Sequence, residues 1–425
     1  MQTDRAPAGE VAGARQSEHF PGFDGLRAIA ALAVIGVHTT FVAGLGGNHQ
    51  LGRYTSRLEI GVEVFFVISG FLLYRPFAVA HFGGRPALPV RSFWIRRLKR
   101  IIPAYWLAFV VITYVLHADQ VVHTWYAPLV YLGFAQIYIP AFVISGIPQA
   151  WSLCTEMSFY LMIPLWAALL GRRSGQRRAG AQLRVELLGV AALVAISFAW
   201  RVPVLQFHTQ LTESMPNWLP GYLDQFALGV LLAVTSSWLR ATRRRPRWLE
   251  SPALPWLSWG AAALAYAAVA NIGLPVAPLI ASPVGLSLLR QTLYGAFAFF
   301  LVAPAVFGPQ DSGLPRRLLR LRPLALIGAV SYGVYLWHEA WIELWLRWTG
   351  ARLFEVSWPV LAAAVTALAI ATATLSYLLV ERPVLSLGRA AGRAGPLAGA
   401  ATPAPPGGDV APAARATAPA LGASR

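Results

Sequence analysis

The chain alternates long apolar stretches with short polar or basic connections. The apolar stretches lie near 22–42, 59–80, 102–117, 151–170, 185–200, 218–238, 254–272, 285–308, 323–347 and 357–380. As helices rising about 1.5 Å per residue, they are long enough to cross about 30 Å of hydrocarbon. The pattern predicts an all-α fold, a polytopic transmembrane bundle of about ten spans. Segment 125–146, WYAPLVYLGFAQIYIPAFVISG, is also apolar but carries Pro128 and Pro140.

The basic residues decide how that segment is read. Arg85, Arg91, Arg96, Arg97, Lys99 and Arg100 fall in the connection 81–101. Arg172, Arg173, Arg177, Arg178 and Arg184 fall in 171–184. Arg240, Arg243, Arg244, Arg245 and Arg247 fall in 239–253, and Arg316, Arg317, Arg320 and Arg322 in 309–322. The alternate connections hold only Arg53, Arg57, Arg201 and Arg352. Positive connections stay on the cytoplasmic side, so both termini are expected inside. An even number of crossings must separate 81–101 from 171–184. Segment 125–146 is therefore expected to be re-entrant or interfacial rather than an eleventh span.

Composition agrees. Hydrophobic residues make up 56% of the 425 residues and charged residues only 12%, with mean hydropathy +0.54. Soluble domains carry about 25% charged residues. Sixteen Trp and fourteen Tyr suit interfacial belts. The net charge of +17 is accounted for by topology, and no nucleic-acid partner is expected. The lone Cys154 permits no intrachain disulfide. Residues 1–18 and 390–425 are rich in Ala, Pro and Gly and read as disordered cytoplasmic tails around one membrane domain, 19–389. Residues 1–20 show no cleavable signal. The expected location is the cell membrane, as a multi-pass protein.

A charge inside a span costs at least ~2.5 kcal/mol on insertion scales, so each one needs a reason. The first span holds Asp24, Arg27 and His38. At about 100° per residue all three fall on one helix face, with His38 about 16 Å from Arg27 along the axis. That face must look into the bundle. Orientation then places His38, Glu63, Glu156, Asp224 and His338 in the outer half, with Arg27 and the Arg96–Arg100 group on the inner side. An anionic donor from the cytoplasm would meet arginines, and an acceptor from outside would meet histidines and carboxylates.

These residues resemble the acyltransferase family 3 membrane proteins, which O-acylate sugars and other hydroxyl acceptors. Arg27, ten residues and His38 match that family's first-span motif. GVEVFFVISGFLL (61–73), FWIRRLKRIIPAYW (93–106), WSLCTEMSFY (151–160), LPGYLDQFALGVLLA (219–233), SYGVYLWH (331–338) and ERP (381–383) match others in order. The resemblance covers roughly 22–385. Some members carry a hydrolase-like extracytoplasmic domain after the last span, which is expected to be absent here.

The resemblance implies an O-acyltransferase using acyl-CoA, with acetyl-CoA the expected donor. The acceptor would be a glycan, lipid-linked sugar or secondary metabolite. His38 is the expected general base, the alternative being a buried histidine bonded to a backbone carbonyl. Arg27 would clamp donor phosphate, pair with Asp24, or both. Glu156 and Glu63 are expected to orient His38 or relay protons. Arg97 and Arg100 would hold the CoA phosphates, unless they serve topology alone. Ser69, Trp151, Ser152, Asp224, Tyr332, Tyr335 and His338 are the further substrate-binding candidates, the alternative for Ser69 and His338 being interhelical hydrogen bonding. Arg290 reads as a side chain snorkelling to the interface.

No metal is expected. HxxxH and CxxC spacings are missing, and His49, His81, His117, His123 and His208 fall in connections or at span ends. There is no GxGxxG, Walker loop or GxSxG. The rival class is a transporter or exporter of a glycan or small metabolite, against which the lack of inverted repeats counts.

Overall fold

The computed structural model describes residues 20–47, 50–83, 89–118, 124–207, 214–275 and 282–386. The two expected tails, Arg85, His49, His123 and His208 lie outside them. Every regular element among the described residues is helical. Ten helices have at least eighteen residues: α1 Gly22–Val42, α2 Gly61–Gly83, α3 Val90–Val110, α4 Trp151–Gly171, α5 Ala179–Gln206, α6 Leu223–Ala241, α7 Leu254–Asn271, α8 Val284–Val306, α9 Ser331–Thr349 and α10 Trp358–Ser376. Among the described residues, eight helical stretches are long and apolar enough to cross a membrane. Those containing α7 and α9 are not among them: α7 ends on Asn271, and α9 carries Glu339, Glu343 and Arg347.

The outward faces are apolar. On α4, Leu161, Leu165 and Leu169 are exposed at spacings of four residues, one stripe of the helix. A lipid-facing surface explains such a stripe, and water does not. The interior is formed by α1, α2 and α6, whose most apolar windows are at least 61% buried, against 22% for the stretch containing α10.

α2 crosses α6 at close range. A Cβ on Gly70 would overlap the Phe226 carbonyl, and one on Gly229 would overlap the Val67 carbonyl. Only two glycines let these backbones meet. In lipid, where apolar side chains gain little by associating, such close packing is what holds helices together.

Two boundaries differ from expectation. The third span was expected from 102, with Arg96–Arg100 in a connection. Instead α3 begins at Val90 and carries these arginines within the helix. No breaker interrupts 90–101, and Pro103 lies inside the helix. The ninth span, expected as 323–347, is two helices, Arg322–Ala329 and α9, meeting at Val330. The Ser331 hydroxyl donates to the Gly328 carbonyl across the break.

Segment 125–146 contains one helix, Ala127–Leu132, followed by short 3₁₀ turns. Six residues rise only about 9 Å, so the helix does not span a bilayer. Side-chain donors hold the segment by its carbonyls: Tyr105 Oη to Tyr131 O at 3.0 Å, and Trp218 Nε1 to Ile137 O at 2.7 Å.

Candidate active site

The polar face of α1 does look into the bundle. At one end Arg27 Nη1 donates to Asp24 Oδ1 at 3.0 Å. Arg27 also lines a narrow cavity of about 100 Å³ with Arg97, Arg100, Ser69, Glu156, Tyr160, Ser152, Tyr332 and Tyr335. The arginines reach it because α3 continues as helix through them. Ser69 donates a hydrogen bond to Glu156, and Tyr332 donates to the Ile101 carbonyl at 2.9 Å. Three guanidinium groups facing one carboxylate leave this cavity rich in positive charge.

Toward the other end of α1, His38 lines a separate cavity of about 430 Å³ with Gln149, Glu339, Glu343 and apolar residues. Its partners come from α9. Hydrogen-bond directions fix the tautomers. His338 Nδ1 lies 2.7 Å from the Tyr335 carbonyl, which can only accept, so this nitrogen carries a proton. His338 Nε2 then bears a lone pair. It lies 2.8 Å from His38 Nδ1, which must donate. In the neutral ring, His38 Nε2 is therefore the basic nitrogen. It lies 3.3 Å from Glu339 Oε1, and the His38 side chain keeps 36% of its surface exposed. His338 is fully buried. The buried histidine thus positions the partly exposed one, which lines the cavity.

A wall separates the two cavities. Tyr335 Oη donates to Gln149 O at 2.8 Å and lies 2.7 Å from Ser152 Oγ. Gln149 Nε2 donates to the carbonyls of Leu336, at 2.8 Å, and Tyr335, at 3.3 Å. Gln149 lines the His38 side, and Ser152 and Tyr335 line the arginine side.

Donor atoms of His38, His338 and Glu339 lie within 4.8 Å of one another, as a metal site would require. The geometry favours proton sharing. Two nitrogens about 2.0–2.1 Å from one tetrahedral zinc lie well over 3 Å apart, and both His338 nitrogens already have partners.

Several expected placements are corrected. Glu156 does not orient His38. It points to Ser69 on α2, in the arginine cavity. Glu63 does not either. It is buried on α2, its Oε2 has no hydrogen-bond partner, and the charges acting on it are Glu59, Arg290 and Arg201. Asp224 is buried and accepts from Ser197, Gln225 and Gln291 at 2.9–3.1 Å. That network ties α5, α6 and α8 together. Trp151 packs on Phe66 and Tyr222. Arg290 pairs with Glu59 at 3.8 Å instead of snorkelling. His81 lies in the last turn of α2, at the span end as expected, and is buried there against Glu186. Sequence reasoning missed Glu339 and Gln149. Glu339 had a signal, being a carboxylate inside an apolar helix beside His338.

Arginines thus line one cavity and His38 lines the other. The acyltransferase domain family matches residues 20–378. The chain belongs to this acyltransferase family. Its curated relatives include YrhL of Bacillus subtilis (strain 168), provisionally named a peptidoglycan O-acetyltransferase, 28% identical over 87% of this chain and 55% of its own length. Peptidoglycan O-acetyltransferase OatA of Listeria monocytogenes is 26% identical over 87% of this chain and 56% of its own. O-acetyltransferase OatA of Staphylococcus aureus (strain NCTC 8325) is 26% identical over 87% and 58%. The acyltransferase chain spans about half the length of the curated relatives it matches. No solved structure matches it.

Proposed function

We propose that this protein is a multi-pass membrane O-acetyltransferase. It moves an acetyl group from acetyl-CoA to a hydroxyl of a glycan of the peptidoglycan type. The relatives' names support the acetyl group and the glycan. The tautomer chain ending on His38 Nε2 carries the chemistry. Arg27, Arg97 and Arg100 would meet the donor's phosphates from the cytoplasmic side, with both chain termini on that side, as the basic connections imply. A 100 Å³ cavity is far below the size of a pocket for a whole coenzyme. Because the same arginines line it, this cavity would have to widen to seat the donor.

In this reading His38 Nε2 removes the acceptor's hydroxyl proton as the oxygen attacks the thioester carbonyl. The tetrahedral adduct collapses, the carbonyl re-forms as the C–S bond breaks, and CoA leaves as the thiolate, which takes the proton from the imidazolium. Glu339 stabilises that imidazolium. The Gln149–Ser152–Tyr335 wall must part for carbonyl and hydroxyl to meet.

The test is turnover of radiolabelled acetyl-CoA by purified protein in nanodiscs with peptidoglycan fragments. Wild type should release CoA and label the glycan, and His38→Ala should lose about 10²–10⁴-fold of that rate. Equal rates would remove His38 as the base. Glycan movement without CoA release would replace transfer by transport.

A further inference from the structure

Four helices bring charged side chains together at the end of the bundle away from the arginine-rich connections. Glu63 lies in the first turn of α2 and Asp224 in the first turn of α6. Arg201 lies near the end of α5 and Arg290 near the start of α8. The charges of Glu59, Arg290 and Arg201 act on Glu63, and that of Arg201 acts also on Asp224. Most of these groups are satisfied. Arg290 pairs with Glu59, which accepts from Tyr294 Oη at 2.8 Å. Asp224 has the donors of Ser197, Gln225 and Gln291.

Glu63 and Arg201 are the exceptions. Glu63 is 6% exposed, and its Oε2 has no hydrogen-bond partner. Arg201 stacks over the Tyr222 ring at 5.0 Å, which fixes the plane of its guanidinium fork. Its Nε and Nη2, an edge that can grip two oxygens at once, are buried without a hydrogen-bond partner. Opposite charges in a low-dielectric interior gain much by pairing, yet these atoms stay bare. Aromatic faces lie beside them. Tyr222 packs on Trp151 at 5.3 Å, and Trp151 on Phe66, which lines the arginine cavity. Trp200 stacks on Trp218 at 5.6 Å, and Trp218 packs on the exposed Tyr138. The indole N–H groups of Trp200 and Trp218 already donate to Met215 O and Ile137 O, so these residues offer ring faces.

We propose that Glu63 and Arg201 form a subsite for an uncharged pyranose unit of the acceptor glycan. A sugar hydroxyl can donate to Glu63 Oε2 and accept from Arg201, and a vicinal pair of hydroxyls matches the Nε–Nη2 edge. The apolar face of the sugar ring would lie on the aromatic side chains, which join a flat apolar body to a polar tip. Glu59, Glu63 and Asp224 outnumber Arg201 and Arg290, so an anionic ligand is disfavoured. The subsite rests on the glycan acceptor proposed above, and binding measured without acetyl-CoA tests it apart from the transfer.

The experiment is equilibrium dialysis of the full chain in nanodiscs against tritiated chitotetraose, an uncharged N-acetylglucosamine tetramer. Wild type should bind it saturably. Arg201→Gln and Glu63→Gln should each raise Kd about tenfold, as expected for lost hydrogen bonds to a charged group. Glu63→Gln should do so without lowering the melting temperature, because it removes a buried charge rather than a paired one. Arg172→Gln, a charge loss at the other end of the bundle, should leave Kd unchanged. Tetragalacturonate, with a carboxylate on every ring, should compete at least tenfold less well than unlabelled chitotetraose. Kd kept in both variants would mark a purely structural or water-bridged cluster and overturn the subsite. Loss of saturable binding in wild type, or stronger competition by tetragalacturonate, would overturn it too. The variants lie on different helices, so one decides if the other does not fold, and the wild-type competition decides if neither does. Binding without acetyl transfer would remove the proposed reaction and keep the subsite. Transfer to chitotetraose with KM unaltered in both variants would do the reverse.

Discussion

Two histidine–carboxylate systems sit inside this bundle, and their surroundings differ in one decisive respect. His81 Nδ1 lies 2.6 Å from Glu186 Oε1, with the two side chains 6% and 0% exposed. Glu186 also accepts from Tyr74 at 2.5 Å and from Gln182 at 2.8 Å. Neither residue lines either cavity described above. His38 and Glu339 are 36% and 24% exposed, 3.3 Å apart, and open onto a cavity. The same residue types make a structural clamp between α2 and α5 in one place and a cavity-facing pair in the other, which the proposed function uses as its base. Buried polar groups that are fully paired hold helices together, and one left facing a cavity is available to a substrate.

The comparison can be broken by substitution. His38→Ala should cost activity by the factor given above and lower stability by only about 1–3 kcal/mol, the cost of leaving the buried His338 Nε2 unpaired. Glu186→Ala should do the opposite. It strands His81, Tyr74 and Gln182 in the interior and should cost about 3–5 kcal/mol, read as loss of folded protein in detergent, with kcat per folded molecule preserved. If Glu186→Ala instead spared stability and lowered kcat, the two systems would not be the separate kinds described here. Glu339→Gln keeps the shape and removes the charge that would stabilise the imidazolium. A fall in kcat of about tenfold, with KM unchanged, is expected from the loss of one hydrogen bond to a charged group. The smallest effect is expected at the wall. Tyr335→Phe deletes the hydroxyl bridging Ser152 and Gln149 and should lower stability by about 1 kcal/mol. Its more telling readout is CoA release in the absence of acceptor, which should rise several-fold. No rise would mean that the wall does not gate the thioester.

Much of the architecture was legible because a bilayer imposes a simple rule on apolar length. The shared face of Asp24, Arg27 and His38 was legible for the same reason, since helix periodicity fixes which residues meet. The limits of Arg96–Arg100 were not. A run of charges looks like a connection, although an amphipathic helix tolerates it where one face meets a polar cavity. Glu156 and Glu63 were misassigned because depth along a span says nothing about azimuth. Glu156 faces Ser69, and Glu63 faces away from His38. His81 and Glu186 are 105 residues apart in sequence, and no local pattern could pair them.

The partition of Gln149, Ser152 and Tyr335 has a consequence for economy. An activated ester exposed to the outside of a cell is lost to hydrolysis unless water is kept from it. On the proposed reading, a barrier one side chain thick shields the loaded carrier until a sugar alcohol displaces that barrier, so spontaneous wastage of the high-energy bond stays low between productive encounters.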